Sequence, residues 1–184
     1  MYRYAHGLTL VELLTTLGIL TLLVGFGVPA TQRLVSDQQL IAASNTLAAH
    51  LAFARSESIK RRRPVLVDNG DGDWASGWQV FVDLNNNGQM DEGEPLLLQE
   101  APLAASVIAK GNTPVRRYVR YTPLGNTKLL GGGFQAGTLT LCHESGNQAV
   151  RRLVINPSGR SVVRVTSSKP LPDSYVRFLL QVQW

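Results

Sequence analysis

The chain of 184 residues has a single cysteine, Cys142, so no internal disulfide can hold it together. A lone thiol in an apolar run such as TLTLC is expected to be buried as a small hydrophobe. Charged residues make up only 17% and aromatics 7%, while hydrophobic residues reach 44%. That scarcity of charge excludes a disordered chain, and with 17 glycines and 9 prolines it also excludes a coiled coil or collagen over most of the length. Histidine is scarce too: His6, His50 and His143 are scattered, and no P-loop, GxSxG or zinc-ligand spacing occurs. His143 follows Cys142 directly, and neighbours in an extended chain point to opposite faces, which disfavours a thiol–imidazole dyad. The chain therefore reads as a protein that is not an enzyme.

Charge of one sign is missing locally. Residues 64–100 contain no lysine or arginine and eight carboxylates, whereas residues 101–184 hold eleven cations against Glu144 and Asp173. The formal net charge of +5 thus conceals a segment of −8 and one of +9, with residues 1–63 adding +4. Two readings fit: an acidic site and a basic surface on one molecule, or charge kept for solubility.

Between Gly7 and Pro29 lie 21 residues whose only ionisable group is Glu12. At about 1.5 Å per residue they reach roughly 32 Å, enough for a bilayer core of about 30 Å. Arg3, in the leader MYRYAHG, favours the N-terminus inside and the rest of the chain translocated. A cleaved secretory signal competes, since small residues stand at Val28-Pro29-Ala30. Against it, the apolar run exceeds the usual 7–15 residues and contains a carboxylate that is costly to desolvate. Glu12 either reaches the headgroup region on its own stem or meets an amine on a neighbouring subunit.

The string GLTLVELLTTLGILTLLVGFGVPA, with Gly7 before the apolar run, Glu12 five residues on and Pro29 at its end, resembles the class III signal of type IV pilins and type II secretion pseudopilins. The family usually has Phe where Leu8 stands. The resemblance implies cleavage by a prepilin peptidase after Gly7, methylation of Leu8, and contact between Glu12 and the terminal amine of an adjacent subunit. LAFARSESIKRRRPVLV, WASGWQVFVDLNNNGQMDEGEPLL and RRLVINPSGR are similar to the GspH/FimT group of minor pilins and pseudopilins. That group implies a non-enzymatic subunit near a filament tip, partnered by other pilin subunits.

From Ala30 to Arg62 there is no glycine or proline, and Leu34, Leu40, Ile41, Leu47, Leu51, Ala54 and Ile59 recur at helical spacing. Pro29 is expected to kink the rod, and Lys60 to Arg63 to end it against its dipole before Pro64. Thereafter short apolar runs alternate with turn residues: PVLVD, WQVFVD, PLLLQ, SVIA, RYVRYT, TLTLC, RRLVIN, SVVRV and YVRFLLQVQ. The expected fold is α+β and pilin-like, with a long N-terminal helix, half membrane-spanning and half amphipathic, packed on antiparallel β-sheets. Its divisions are a leader at 1–7, an anchoring and assembly helix at 8–29, the amphipathic continuation at 30–63 and a β-rich head at 64–184. Such a chain would sit as a single-pass inner-membrane protein with a periplasmic head before joining a pilus or pseudopilus.

The head offers two candidate ligand sites. Residues 83–94 fit the calcium-loop pattern D-x-[DN]-x-[DN]-G-x5-E, with Asp83, Asn85, Asn87, the Gln89 carbonyl, Asp91 through water and Glu94 at ligand positions. A strand precedes the loop and two early donors are amides, so a metal-free hairpin turn is the competing reading. Asp68, Asp71 and Asp73 read as a solvated turn. On the basic side, Asn156-Pro157-Ser158-Gly159 is turn chemistry joining two strands into a hairpin. Arg160 and Arg164 then share one face about 13 Å apart at roughly 3.3 Å per residue, with Lys169 close behind and Arg151 and Arg152 on the partner strand. Arg116, Arg117 and Arg120 are candidates to broaden that surface. FimT-type competence pilins carry a GRxR motif that binds DNA; here Gly159-Arg160 matches, and the second arginine is displaced to Arg164. The resemblance thus implies a minor type IV pilin with DNA as a partner through the basic surface. A type II secretion pseudopilin making only protein contacts is the alternative.

Overall fold

The computed structural model describes residues 9–146 and 148–166, without the side chains of 26–30, 32 and 33. The chain divides into two compact units, residues 1–36 and 37–184. Helix α1 runs Leu10–Arg61 and contributes to both.

In the first unit, helix formation starts at a cap. The Thr9 hydroxyl accepts from the Glu12 amide at 3.2 Å, and its carbonyl takes the first helical bond from Leu13. That is half of the T-x-x-E capping box, which satisfies an amide that the first turn would leave bare.

The second unit begins at Asp37. Leu40, Leu47, Leu51 and Ala54 of α1 are fully buried. Taking Leu40 as zero and about 100° per residue, the other three fall within roughly 40° of it, so the four form one narrow stripe. Ile41, Leu34 and Ile59 lie about 100–120° away by the same count. Ile41 is half-buried, and Leu34 and Ile59 stay 60% and 49% exposed. The stripe is therefore narrower than its apolar spacing suggests. Beyond Arg61 the backbone turns left-handed at Arg62 (φ 53°), and Lys60 and Arg61 both reach back to Glu57, at 3.3 and 2.6 Å.

Among the described residues eight strands follow: β1 (Val65–Asp68), β2 (Trp78–Val82), β3 (Leu96–Glu100), β4 (Val107–Gly111), β5 (Tyr118–Tyr121), β6 (Gly137–His143), β7 (Val150–Ile155) and β8 (Ser161–Thr166). They match the first eight expected runs; YVRFLLQVQ lies outside the described residues. All pairings are antiparallel, in two four-stranded sheets ordered β3-β2-β1-β5 and β4-β6-β7-β8. Val65, Val67, Val80 and Val119 from the first sheet and Leu139, Leu141, Leu153 and Ile155 from the second join the helix stripe in one core. At about 1.5–3 kcal/mol for each large side chain buried, this shared core is the main source of stability. Trp74, fully buried between strands, donates its indole N–H to the Val115 carbonyl at 3.0 Å, and Cys142 is buried as expected.

Asp68 ends β1 in a buried position, with Arg117 Nε 3.5 Å from its carboxylate. Burial pushes its carboxyl above the ordinary value, and the Arg117 charge only partly opposes this. The folded state then holds the proton to higher pH than the unfolded state does. Stability falls as pH rises through that window and stays at the lower level above it. Asp68→Asn should therefore raise the Tm at neutral pH, with the gain vanishing below about pH 3 where both forms are uncharged; thermal unfolding across pH measures it.

Candidate functional site

The N-terminal helix exposes its side chains on every face. Residues 10–25 are all exposed, including Leu10, Leu14, Leu17, Ile19, Leu22 and Val24. Its polar groups are largely turned inward on the backbone: the hydroxyls of Thr15, Thr16 and Thr21 donate to the carbonyls of Glu12, Leu13 and Gly18 at 2.8–2.9 Å. Such bonding lets a threonine sit in an apolar environment without a stranded donor. Glu12, in the first turn, is exposed. Gly7 and Leu8 lie outside the described residues. Among the described residues no helix is long and apolar enough to cross a membrane.

The acidic loop between β2 and β3 is organised by its own side chains. Asp83 is completely buried, and one of its carboxylate oxygens accepts from Gly88 N at 3.2 Å. Asn85 and Asn87 accept from the amides of Asn87 and Gln89, and both donate their side-chain N–H to the same Asp91 oxygen, at 2.7 and 2.6 Å. Glu94 accepts from Leu84 N and Asp91 N. Among the described residues no three His, Cys, Asp or Glu side chains gather as a metal-holding group. The other acidic cluster is a structured turn: Asp71 accepts from Asp73 N, and Asp73 caps the short helix Trp74–Ser76 and pairs with Lys110 at 2.9 Å.

The basic residues separate into two groups. Register places Arg152 of β7 directly opposite Arg164 of β8, and Val154 opposite Val162, on one sheet face. Thr140 and Lys110 continue that cross-strand row through β6 and β4. Arg151 pairs with Val165, one position out of phase, and so belongs to the other face. Arg160 precedes β8 and is exposed at the turn, where its carbonyl accepts from Asn156 N at 3.0 Å. Arg117 is paired with Asp68, and Arg120 donates to Asn86 at 2.8 Å. These two are thus engaged at the first sheet. Lys169 lies outside the described residues.

Sequence reasoning missed two residues that position these surfaces. Arg55 of α1 donates from Nε to the Gly125 carbonyl at 2.9 Å and from Nη2 to the Ser158 carbonyl at 3.2 Å, which clamps the β7–β8 turn to the helix. Gln135, fully buried, donates to the carbonyls of Pro114 and Tyr118 and accepts from Arg120 N. His50, His143 and Cys142 are structural in their contacts. His50 Nδ1 accepts from the Trp78 indole at 3.1 Å, His143 contacts Ser145, and burial pushes the Cys142 thiol up, away from the reactive thiolate.

The family model described as Type II transport protein GspH matches residues 43–159. The chain belongs to this family. The pilin-like protein PilA1 of Thermus thermophilus is 37% identical, over 85% of this chain and 96% of its own length. The crystal structure of the type IV minor pilin FimU of Pseudomonas aeruginosa (strain PAO1) superposes with a TM-score of 0.53 at 25% identity, covering 73% of this chain and 93% of FimU. The α+β pilin-like fold expected from the residues is therefore established, and the protein is a minor pilin or pseudopilin of the type IV pilus and type II secretion class.

Gly159 closes the β7–β8 turn with φ 78°, and a Cβ there would run into the Gly125 carbonyl that Arg55 holds. Gly159→Ala should lower stability by at least about 2 kcal/mol, combining left-handed strain with the clash. Urea unfolding of the variant beside the parent chain measures this loss.

Proposed function

We propose that this chain is a minor type IV pilin, held in the inner membrane through residues 8–29 before assembly and then packed by the same helix among other pilins near the filament tip. The observation that carries the reading is the run of exposed, predominantly apolar side chains from Leu10 to Gly25. A helix surface so exposed and so largely apolar needs lipid or other helices around it. In this reading prepilin peptidase cuts after Gly7, Leu8 is methylated, and Glu12 receives the new terminal amine of the next subunit. The likeness to PilA1 and FimU supports a pilus subunit. The family's description as a type II transport protein favours a second reading, a pseudopilin whose head meets only proteins.

The first test is mass spectrometry of the protein coexpressed with prepilin peptidase, together with its yield in sheared filaments. The mature chain should begin at a methylated Leu8. Glu12→Gln should reduce incorporation by about tenfold or more, the effect of losing one desolvated ion pair worth at least about 1.4 kcal/mol. A chain beginning at Thr31 or undiminished incorporation defeats the reading.

DNA binding is the finer part of the proposal. Arg152 and Arg164 stand directly opposite one another, and like charges so placed repel. A phosphate backbone laid against this pair, with Arg160 farther along towards the turn ahead of β8, relieves the repulsion. Removing both arginines should weaken binding and reduce the slope of log K against log salt by about 2. Unchanged slopes in fluorescence titrations with duplex DNA favour the pseudopilin reading.

A further inference from the structure

We propose that the loop from Asp83 to Glu94 binds one calcium ion, independently of whether the head binds DNA. The decisive group is Asp83. Its side chain is 0% exposed, yet only one carboxylate oxygen has a partner, the amide of Gly88; the other, Oδ1, is buried without any. A hairpin turn needs no carboxylate there, and burying an unpartnered anionic oxygen is expensive. A cation supplies the missing partner. Asp83 also holds the first position of the loop pattern, so the residue that carries the orphaned oxygen is one that the spacing assigns to the metal.

The rest of the loop is arranged around the same need. Asn85 and Asn87 converge with Asp91, since both amides donate to one Asp91 oxygen. N–H donors stand where a cation would otherwise neutralise that carboxylate. Glu94, at the last position, is held by two backbone amides of the loop, those of Leu84 and Asp91. On calcium entry these acids exchange N–H donors for the ion. Gly88, at the position that makes the sharp turn, has φ 76°, and a Cβ there would strike the Leu130 side chain. Arg120 holds Asn86, at a position that the pattern leaves without a ligand role, and so braces the rim from outside.

On calcium entry the donor set would be the carboxylates of Asp83, Asp91 and Glu94, which are not gathered around one point in the ion-free loop and would close on the ion, with two side-chain amides and the Gln89 carbonyl, all of them oxygen ligands. That suits calcium over magnesium, which demands a tight octahedron and sheds water reluctantly. The two amide ligands place the affinity at the weak end, with Kd about 10⁻⁴–10⁻³ M, the range of extracellular modules. Bound calcium would fasten the β2–β3 connection at the edge of the first sheet.

The test uses the full-length chain in detergent, stripped with EGTA, then titrated with calcium chloride by calorimetry and thermal unfolding, with magnesium chloride in parallel. Calcium at tenfold over Kd should raise the Tm by about 3–5 °C, and magnesium should not. Asp91→Asn, at an exposed position, and Glu94→Gln, a near-isosteric change at a half-buried one, should fold and weaken binding about tenfold or more. Asp83→Asn should abolish it. If Asp83→Asn does not fold, the other two variants carry the decision. No calcium-dependent heat or Tm shift up to 10 mM, an equal response to magnesium, or binding undiminished in Asp91→Asn and Glu94→Gln overturns the proposal.

Discussion

From Asp37 onward one helix has to serve two sheets, and it does so with a stripe only a few side chains wide. Leu40, Leu47, Leu51 and Ala54 meet valines of β1, β2 and β5 and the leucines of β6 and β7 in one continuous core. The two sheets have separate strand orders, β3-β2-β1-β5 and β4-β6-β7-β8. What unites them is this shared burial, so the position of each surface loop depends on how the helix fills the space between.

Polar residues inside the fold refine that placement. Arg55 gives its guanidinium to two carbonyls, Gly125 and Ser158, and Gln135 satisfies three backbone groups around β5. Gln135 is fully buried, and hydrogen bonds in a low-dielectric interior specify one arrangement more sharply than apolar contacts can, while half-buried Arg55 ties the helix to two loop carbonyls. The basic turn is therefore presented by a rigid support. Arg152 and Arg164, in contrast, confront each other across β7 and β8 as like charges.

Much of this was legible in the residues. Alternating apolar runs bounded by glycine and asparagine marked all eight described strands, and the 3.6-residue spacing marked the helix. The narrower stripe was also implicit, because Ile41 and Ile59 rotate away from Leu47 by simple helical counting. Arg55 was not legible, since its partners lie 70 and 103 residues away and nothing local announces them. The same holds for the stranded oxygen of Asp83: loop spacing nominated the residue, but only tertiary packing makes it inaccessible. Strand phase separated Arg151 from Arg152, a distinction that adjacency in sequence conceals until the pleat is applied.

The close approach of Gly125 and Gly159 has an evolutionary corollary. Two turns from distant parts of the chain touch backbone to backbone, and Ile59 and Arg55 press on the same spot. Neither turn can drift in length or shape alone. Hybrid heads built by swapping segments among relatives must carry both turns from a single parent, along with the helical turn beneath them.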